Sequence, residues 1–326
     1  MTVHSPRRRT LLAAACCIPF ATTTSRAESF PAKPITLIIP YPAGGPTDVV
    51  VRVLAEEARK SLGQPVVVEN RPGANGSVGA ATLARAPADG YTLAVIPQSV
   101  YREPYLNKTS YDPLTSFTYI ALLTDFTFGI AVRSDAPWKS FKEFVVDATQ
   151  RPNNLSIGSG GGLLGTPNIA AEELIDTAKV KVNAVPFKGD SEVVNALLGG
   201  HIDAAVLSGV AVPHIESGKM RYIGAFAEKR IARFPTLPTI VEQGYPVWVD
   251  SPYGIAGPKG MEPSRIKLIQ DAFRLALESP ASTRVLQQLN QRVNYLGADD
   301  YRKFAASTYA REKQRVKRLR ELGRLT

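Results

Sequence analysis

The 326-residue chain holds only two cysteines, three histidines, three methionines and two tryptophans. The positions of the cysteines and histidines exclude several chemistries. Both cysteines, Cys16 and Cys17, fall within the first 27 residues. Downstream of them there is no thiol, hence no disulfide, no cysteine nucleophile and no Cys-based metal site. His4 shares that segment, which leaves His201 and His214 for acid–base or metal work. Neither has a third partner at recognisable spacing, and both read as structural. No stretch beyond the start reaches the roughly 18 apolar residues of a membrane span, so a soluble mature protein is expected. Also missing are the G-x-S-x-G elbow, the G-x-x-x-x-G-K-[ST] loop and the H-E-x-x-H helix.

What is abundant is positive charge, but it is unevenly placed. The formal net charge is +10, and residues 1–27 carry +4 through Arg7, Arg8, Arg9 and Arg26 with no acid. Residues 311–326 carry +5, leaving the body at +1. The basic tail lacks interleaved aromatics, and its Val316, Leu319 and Leu322 make one apolar helix stripe, so no nucleic-acid partner is expected.

The N-terminus runs from basic residues through an apolar stretch, Leu11 to Ala21, to Ser25-Arg26-Ala27. That order is a secretory signal, with cleavage expected near Ala27. Arg8-Arg9-Thr10-Leu11-Leu12 also fits twin-arginine export, and the ordinary Sec route stays open. Cys16 after three alanines suggests a lipoprotein anchor only weakly, because the expected leucine sits one place too far away.

The mature chain alternates β-branched runs with helical segments, which predicts an α/β fold with mostly parallel strands. Ile35 to Ile39 reads as a strand running into Pro42-Ala43-Gly44-Gly45 and a helix over 49–62 with Pro46 near its first turn. Leu155 to Ile157 reads as a strand running into a glycine-rich loop, Gly158 to Gly165, and a helix over 167–177. This strand–loop–helix unit occurs twice, about 115 residues apart. It predicts two similar Rossmann-like α/β domains facing each other across a cleft and joined by two crossovers. The expected limits are a signal over 1–27, one domain over 28–128 and 249–326, and a second over 129–248. After Pro263 helices are expected over 264–277, 281–289 and 299–322.

A helix N-terminus leaves backbone N–H groups unpaired and carries partial positive charge, so each glycine loop is an anion-site candidate. Two such loops facing one another suggest a small anion held from both sides. Gly160-x-Gly162-x-x-Gly165 also matches the dinucleotide fingerprint, but the acid that should end the next strand comes late, at Asp190. No cofactor is therefore expected. Asp48 is either a helix cap or a ligand contact. Lys188 could oppose a carboxylate, and Asp203 could contact ligand or merely stabilise a turn.

Three motifs in order, Pro34 to Asp48, Leu62 to Ala74 and Ala88 to Leu93, closely resemble the substrate-binding proteins of tripartite tricarboxylate transporters, the Bug or TctC type. Val185-Pro186-Phe187-Lys188-Gly189, Ala196-Leu197-Leu198-Gly199-Gly200 and Leu237-Pro238-Thr239 extend the resemblance through the chain. It implies a monomeric, two-lobed periplasmic binding protein, without catalysis, metal or cofactor, that closes on a small carboxylate and delivers it to a membrane permease. Carried over by motif, the first loop contributes Tyr41, Ala43, Gly44, Gly45, Thr47 and Asp48, and the second Ser159, Gly165 and Thr166. Lys188, Gly189 and Asp203 are family-like positions of the second lobe. Two rival classes remain: a ligand sensor for a two-component kinase, and an exported enzyme using Asp48 or His201 in the same cleft. The second loop departs from the family pattern. It carries an extra Leu163-Leu164 and has Asn168 where a histidine is usual, which hints at a ligand smaller or less polar than citrate. The second crossover departs too, with Pro252 instead of a tryptophan before Tyr253-Gly254.

Overall fold

The computed structural model describes residues 1–2 and 30–324. The export segment, its cleavage near Ala27, and Cys16 and Cys17 lie outside the described residues. The chain begins with β1 (Ile35–Ile39), α1 (Pro46–Leu62), β2 (Val66–Asn70), α2 (Ser77–Ala84), β3 (Thr92–Pro97), α3 (Gln98–Arg102) and β4 (Phe117–Phe126). Next come β5 (Gly129–Arg133), α4 (Phe141–Gln150), β6 (Ser156–Ser159), α5 (Thr166–Ala178), β7 (Asn183–Pro186), α6 (Asp190–Leu198), β8 (Ala204–Leu207), α7 (Val212–Glu216) and β9 (Met220–Ala225). The chain then returns through β10 (Ser251–Pro258), α8 (Pro263–Leu277), α9 (Pro280–Gln288), β11 (Gln291–Gly297) and α10 (Ala298–Glu321).

The strands form two sheets, ordered β11-β4-β10-β3-β1-β2 and β7-β6-β8-β5-β9. Both are mixed, which corrects the expectation of mostly parallel strands. β1 runs parallel to β2 and β3, and β6 parallel to β7 and β8. β10 is antiparallel to β3 and β4, and β5 to β8 and β9. The reason is topological. β1, β3 and β4 finish at one end of their sheet, and the chain leaves β4 there for the other sheet. A strand that receives a crossing chain starts where its neighbours finish, so β5 and β10 must run backwards.

β1 is the central strand of a parallel trio, and four of its five residues are buried. That double-sided burial is why it reads as an unbroken apolar run rather than an alternation. Val50, Val51, Leu54, Ala55 and Ala58 form the inner stripe of α1, which packs on α8 and α9. The second sheet has its own core, in which Phe141 and Phe144 of α4 pack with Ile130, Ile157 and Val206.

β11 was not expected, and the helix after it begins at Ala298. The tail helix has a different inner face from the one anticipated. Val316 and Leu319 are buried, but Leu322 is exposed and the stripe continues through Glu312, Thr308, Ala305 and Tyr301. No helix among the described residues is long and apolar enough to cross a membrane.

Candidate functional site

The loop between β1 and α1 is shaped by Asp48. Its carboxylate accepts the Gly44 N–H at 2.9 Å, Arg52 Nε at 2.9 Å and Asn70 Nδ2 at 2.8 Å. Asn70 Nδ2 also reaches the Tyr41 carbonyl at 3.0 Å. Gly44 sits at φ +80°, a left-handed conformation that favours glycine. Burial alone would raise the Asp48 carboxyl, but Arg52, the Gly44 N–H and Asn70 outweigh it and hold it below its ordinary value. Between its two sequence readings, then, Asp48 is a brace for the loop, its acceptors used by donors from the loop, α1 and β2. No side chain caps α1 at Gly45, so the helix N-terminus is left to other partners.

The second loop is braced in the same way by different residues. Ser159 Oγ donates to Asn168 Oδ1 at 2.9 Å, and Asn168 Nδ2 donates to the Leu163 carbonyl at 3.0 Å. The Gly162 N–H bonds the Phe187 carbonyl at 2.8 Å. A Cβ on Gly165 would lie 2.6 Å from the Gly160 carbonyl, so the loop closes only with glycine there. Gly165 precedes α5 without any side-chain cap. Ser159 and Thr166 are buried beside it.

Arg102, at the end of α3, joins the two sheets. It is buried, and its Nε donates to Glu312 Oε2 of α10 at 2.5 Å. Its Nη1 donates to the Leu164 carbonyl of the second loop at 2.6 Å, while its Nη2 is buried without a partner. The extra Leu163-Leu164 pair thus offers a carbonyl across the cleft, and the Leu163 side chain is exposed. Tyr41 of the first loop lies close by. Burial pushes its phenol up; the Ser99 hydrogen bond and the Arg102 charge pull it down, and Asp190 raises it again. One phenol therefore senses a cation from the first sheet and a carboxylate from the second.

Asp190 opens α6, directly after Gly189. Its carboxylate accepts from Ser208 Oγ at 3.3 Å and fills the space that a side chain on Gly160 would need. A carboxylate against this loop repels a pyrophosphate, which argues against the dinucleotide reading.

The expected residues therefore divide. Tyr41, Gly44, Gly45, Thr47 and Asp48 form one loop, with Ala43 exposed at its tip, and Ser159, Gly165 and Thr166 form the other. Gly189 caps α6 beside them, and Lys188 is exposed. Asp203 is not with them, and this corrects its placement. Its carboxylate takes both the N–H and the Oγ of Ser156, at 2.9 and 2.8 Å, at the start of β6. The loop follows Ser159, at the far end of that strand. His201 is exposed at a turn and His214 lies on α7. Sequence reasoning missed Arg102, Glu312 and the role of Asp190. A cavity of about 800 Å³ lies elsewhere, beside the two crossovers, between Phe126, Phe226, Trp248 and Arg292. It is lined by neither loop.

The sequence matches the family described as Tripartite tricarboxylate transporter family receptor over residues 50–321. It is 39% identical over 295 residues to the UPF0065 protein of the gbd 5′ region of Cupriavidus necator, covering 90% of each chain. Among solved structures it is similar to the periplasmic binding protein BugD, with 28% identity and TM-score 0.80, over 91% of this chain and 99% of the other. It is also similar to MatC of Rhodopseudomonas palustris, solved with bound malate, with 29% identity and TM-score 0.78, over 88% and 100% of the chains. These likenesses establish the two-lobed periplasmic-binding-protein fold and a binding role in place of catalysis. This chain belongs to the tripartite tricarboxylate transporter receptor family, the TctC or Bug type of solute-binding protein.

Proposed function

We propose that this receptor is exported through its N-terminal signal, cleaved near Ala27, and works in the periplasm as a monomer. It captures a small carboxylate between its two lobes and hands it to a membrane permease of the tripartite tricarboxylate type. The first lobe comprises residues 28–128 and 249–326, the second 129–248. The observation that carries this reading is the pair of uncapped helix N-termini, α1 at Gly45 and α5 at Gly165, with Arg102 of the first sheet's α3 bonded to the second loop. Unpaired N–H groups and helix dipoles stabilise an anion there without any net charge in the body of the protein. The contacts are assigned to Tyr41, Ala43, Gly44, Gly45 and Thr47 on one side, and to Ser159, Gly165, Thr166 and Gly189 on the other. Hinge closure about the two crossovers then buries the ligand. The malate bound by MatC supports a ligand of small-dicarboxylate size.

The test is a thermal-shift panel of mono-, di- and tricarboxylates, amino acids and aromatic acids. Binding raises stability by about 2.7 kcal/mol at a hundredfold excess over Kd. A carboxylate that raises the midpoint supports the reading; turnover of an acid without any shift across the panel would overturn it.

A further inference from the structure

Asp190 is a half-buried carboxylate that lacks a cation. Among the described residues it forms no ion pair, and its one hydrogen bond is the 3.3 Å contact from Ser208 Oγ. Burial accordingly lifts its carboxyl above the ordinary value, with only Ser208 opposing. The first-turn position on α6 gives a favourable dipole, but a dipole offsets only a small part of the cost of desolvating a carboxylate. Lys188, two residues earlier, is exposed and forms no ion pair with it.

Asp190 lies between the second loop and the core of the second sheet. Gly160 is the first glycine of the second loop, and Ser208 is buried at the end of β8. Its charge raises the phenol of Tyr41 on the first loop and that of Tyr222 on β9. Arg102, whose charge acts on the same Tyr41 phenol, is already matched by Glu312 and the Leu164 carbonyl. An uncompensated carboxylate in a cleft built for carboxylates repels a simple dianion, and that repulsion discriminates against such ligands. A ligand that carries its own cation removes the conflict.

We propose that Asp190 is a specificity-determining contact for a protonated amino group, so that the ligand is an amino-acid-like zwitterion and not a plain dicarboxylate. This rests on the receptor reading above. Backbone N–H groups of the loops hold the ligand carboxylate, and Asp190, oriented by Ser208, accepts from its ammonium. The Ser208 hydroxyl then makes its single hydrogen bond to the oxygen that faces away from the ligand.

Isothermal titration of the protein with two matched series tests this: aspartate, malate and succinate, and glutamate, 2-hydroxyglutarate and glutarate. Within a series only the group on C2 changes, from ammonium to hydroxyl to hydrogen. The amine should bind at least about tenfold tighter than the unsubstituted acid, because a site shaped around a polar group rejects the analogue that lacks it. Asp190→Asn should abolish that preference while leaving the unsubstituted acid as tight or tighter. If the variant fails to fold, the wild-type ranking still decides. Binding of an unsubstituted acid as tightly as its amine, or an Asp190→Asn variant that weakens all members equally, overturns the role of Asp190 and leaves the receptor reading standing. Binding of none of the six acids overturns the role of Asp190, and the wider acid panel then decides the receptor reading.

Discussion

Arg102 and Glu312, 210 residues apart in the chain, meet at 2.5 Å with both side chains sealed from solvent. Glu312 also accepts from Gln98 Nε2 at 3.0 Å and Arg315 Nη1 at 2.9 Å. Burial would raise its carboxyl, but Arg102 and Arg315 hold it below its ordinary value. The same Arg102 donates to the Leu164 carbonyl, so a buried ion pair of one sheet's helices anchors the glycine loop of the other.

Glu312→Gln should therefore destabilise the protein by about 3–5 kcal/mol, the usual result of leaving one member of a buried pair alone. Urea unfolding measures it. A loss below about 1 kcal/mol would mean that Arg102 finds another partner.

Asp48→Asn should loosen the first loop. It replaces a charged acceptor of three donors by a neutral one, and a cost of about 1–3 kcal/mol is expected. The sign of its pH dependence follows from a folded-state pKa below the unfolded one. Its contribution is present above the unfolded value near 3.9, and it is lost as the pH falls through the lowered folded value. Unfolding midpoints across pH 2–6 should show a smaller acid loss in Asp48→Asn than in the wild type.

The basic tail that dominates the net charge acts as a clasp. Arg315, Arg318 and Arg324 pair with Glu173, Asp176 and Glu172 of α5 at 2.8, 3.3 and 3.4 Å. Pairs whose basic partner is open to solvent contribute about 0–1 kcal/mol each, so Asp176→Asn with Glu172→Gln should hardly change stability. Both substitutions, or high salt, should favour the open form instead, seen as a larger radius of gyration by small-angle scattering without ligand. An unchanged radius would show that the clasp has no part in closure.

Much of the scaffold was legible, and the gaps have physical causes. β1 and β8 are buried on both faces, so Ile35 to Ile39 and Ala204 to Leu207 stand out as apolar runs. The two loops were legible because glycines needed for left-handed turns and close approach leave a mark in the sequence. β11 was missed because it is an edge strand with Arg292 and Val293 exposed, and so lacks a strong apolar pattern. Strand direction was missed because it depends on where the chain crosses. Asp203 was misplaced because an acid before a strand looks the same whichever end of the sheet it occupies. Arg102 and Glu312 carry no local signal at all: each is an ordinary charged residue on an amphipathic helix until the fold brings them together.

The central claim, that a carboxylate is held between the loops at Gly45 and Gly165, is tested most directly by calorimetric titration of Gly45→Val. A Cβ at Gly45 meets only the Pro42 carbonyl at 3.6 Å, an ordinary contact, so the variant should still fold cooperatively. With the acid that most stabilises the wild-type protein, Gly45→Val should show no measurable binding heat. Wild-type affinity in the folded variant would contradict the account.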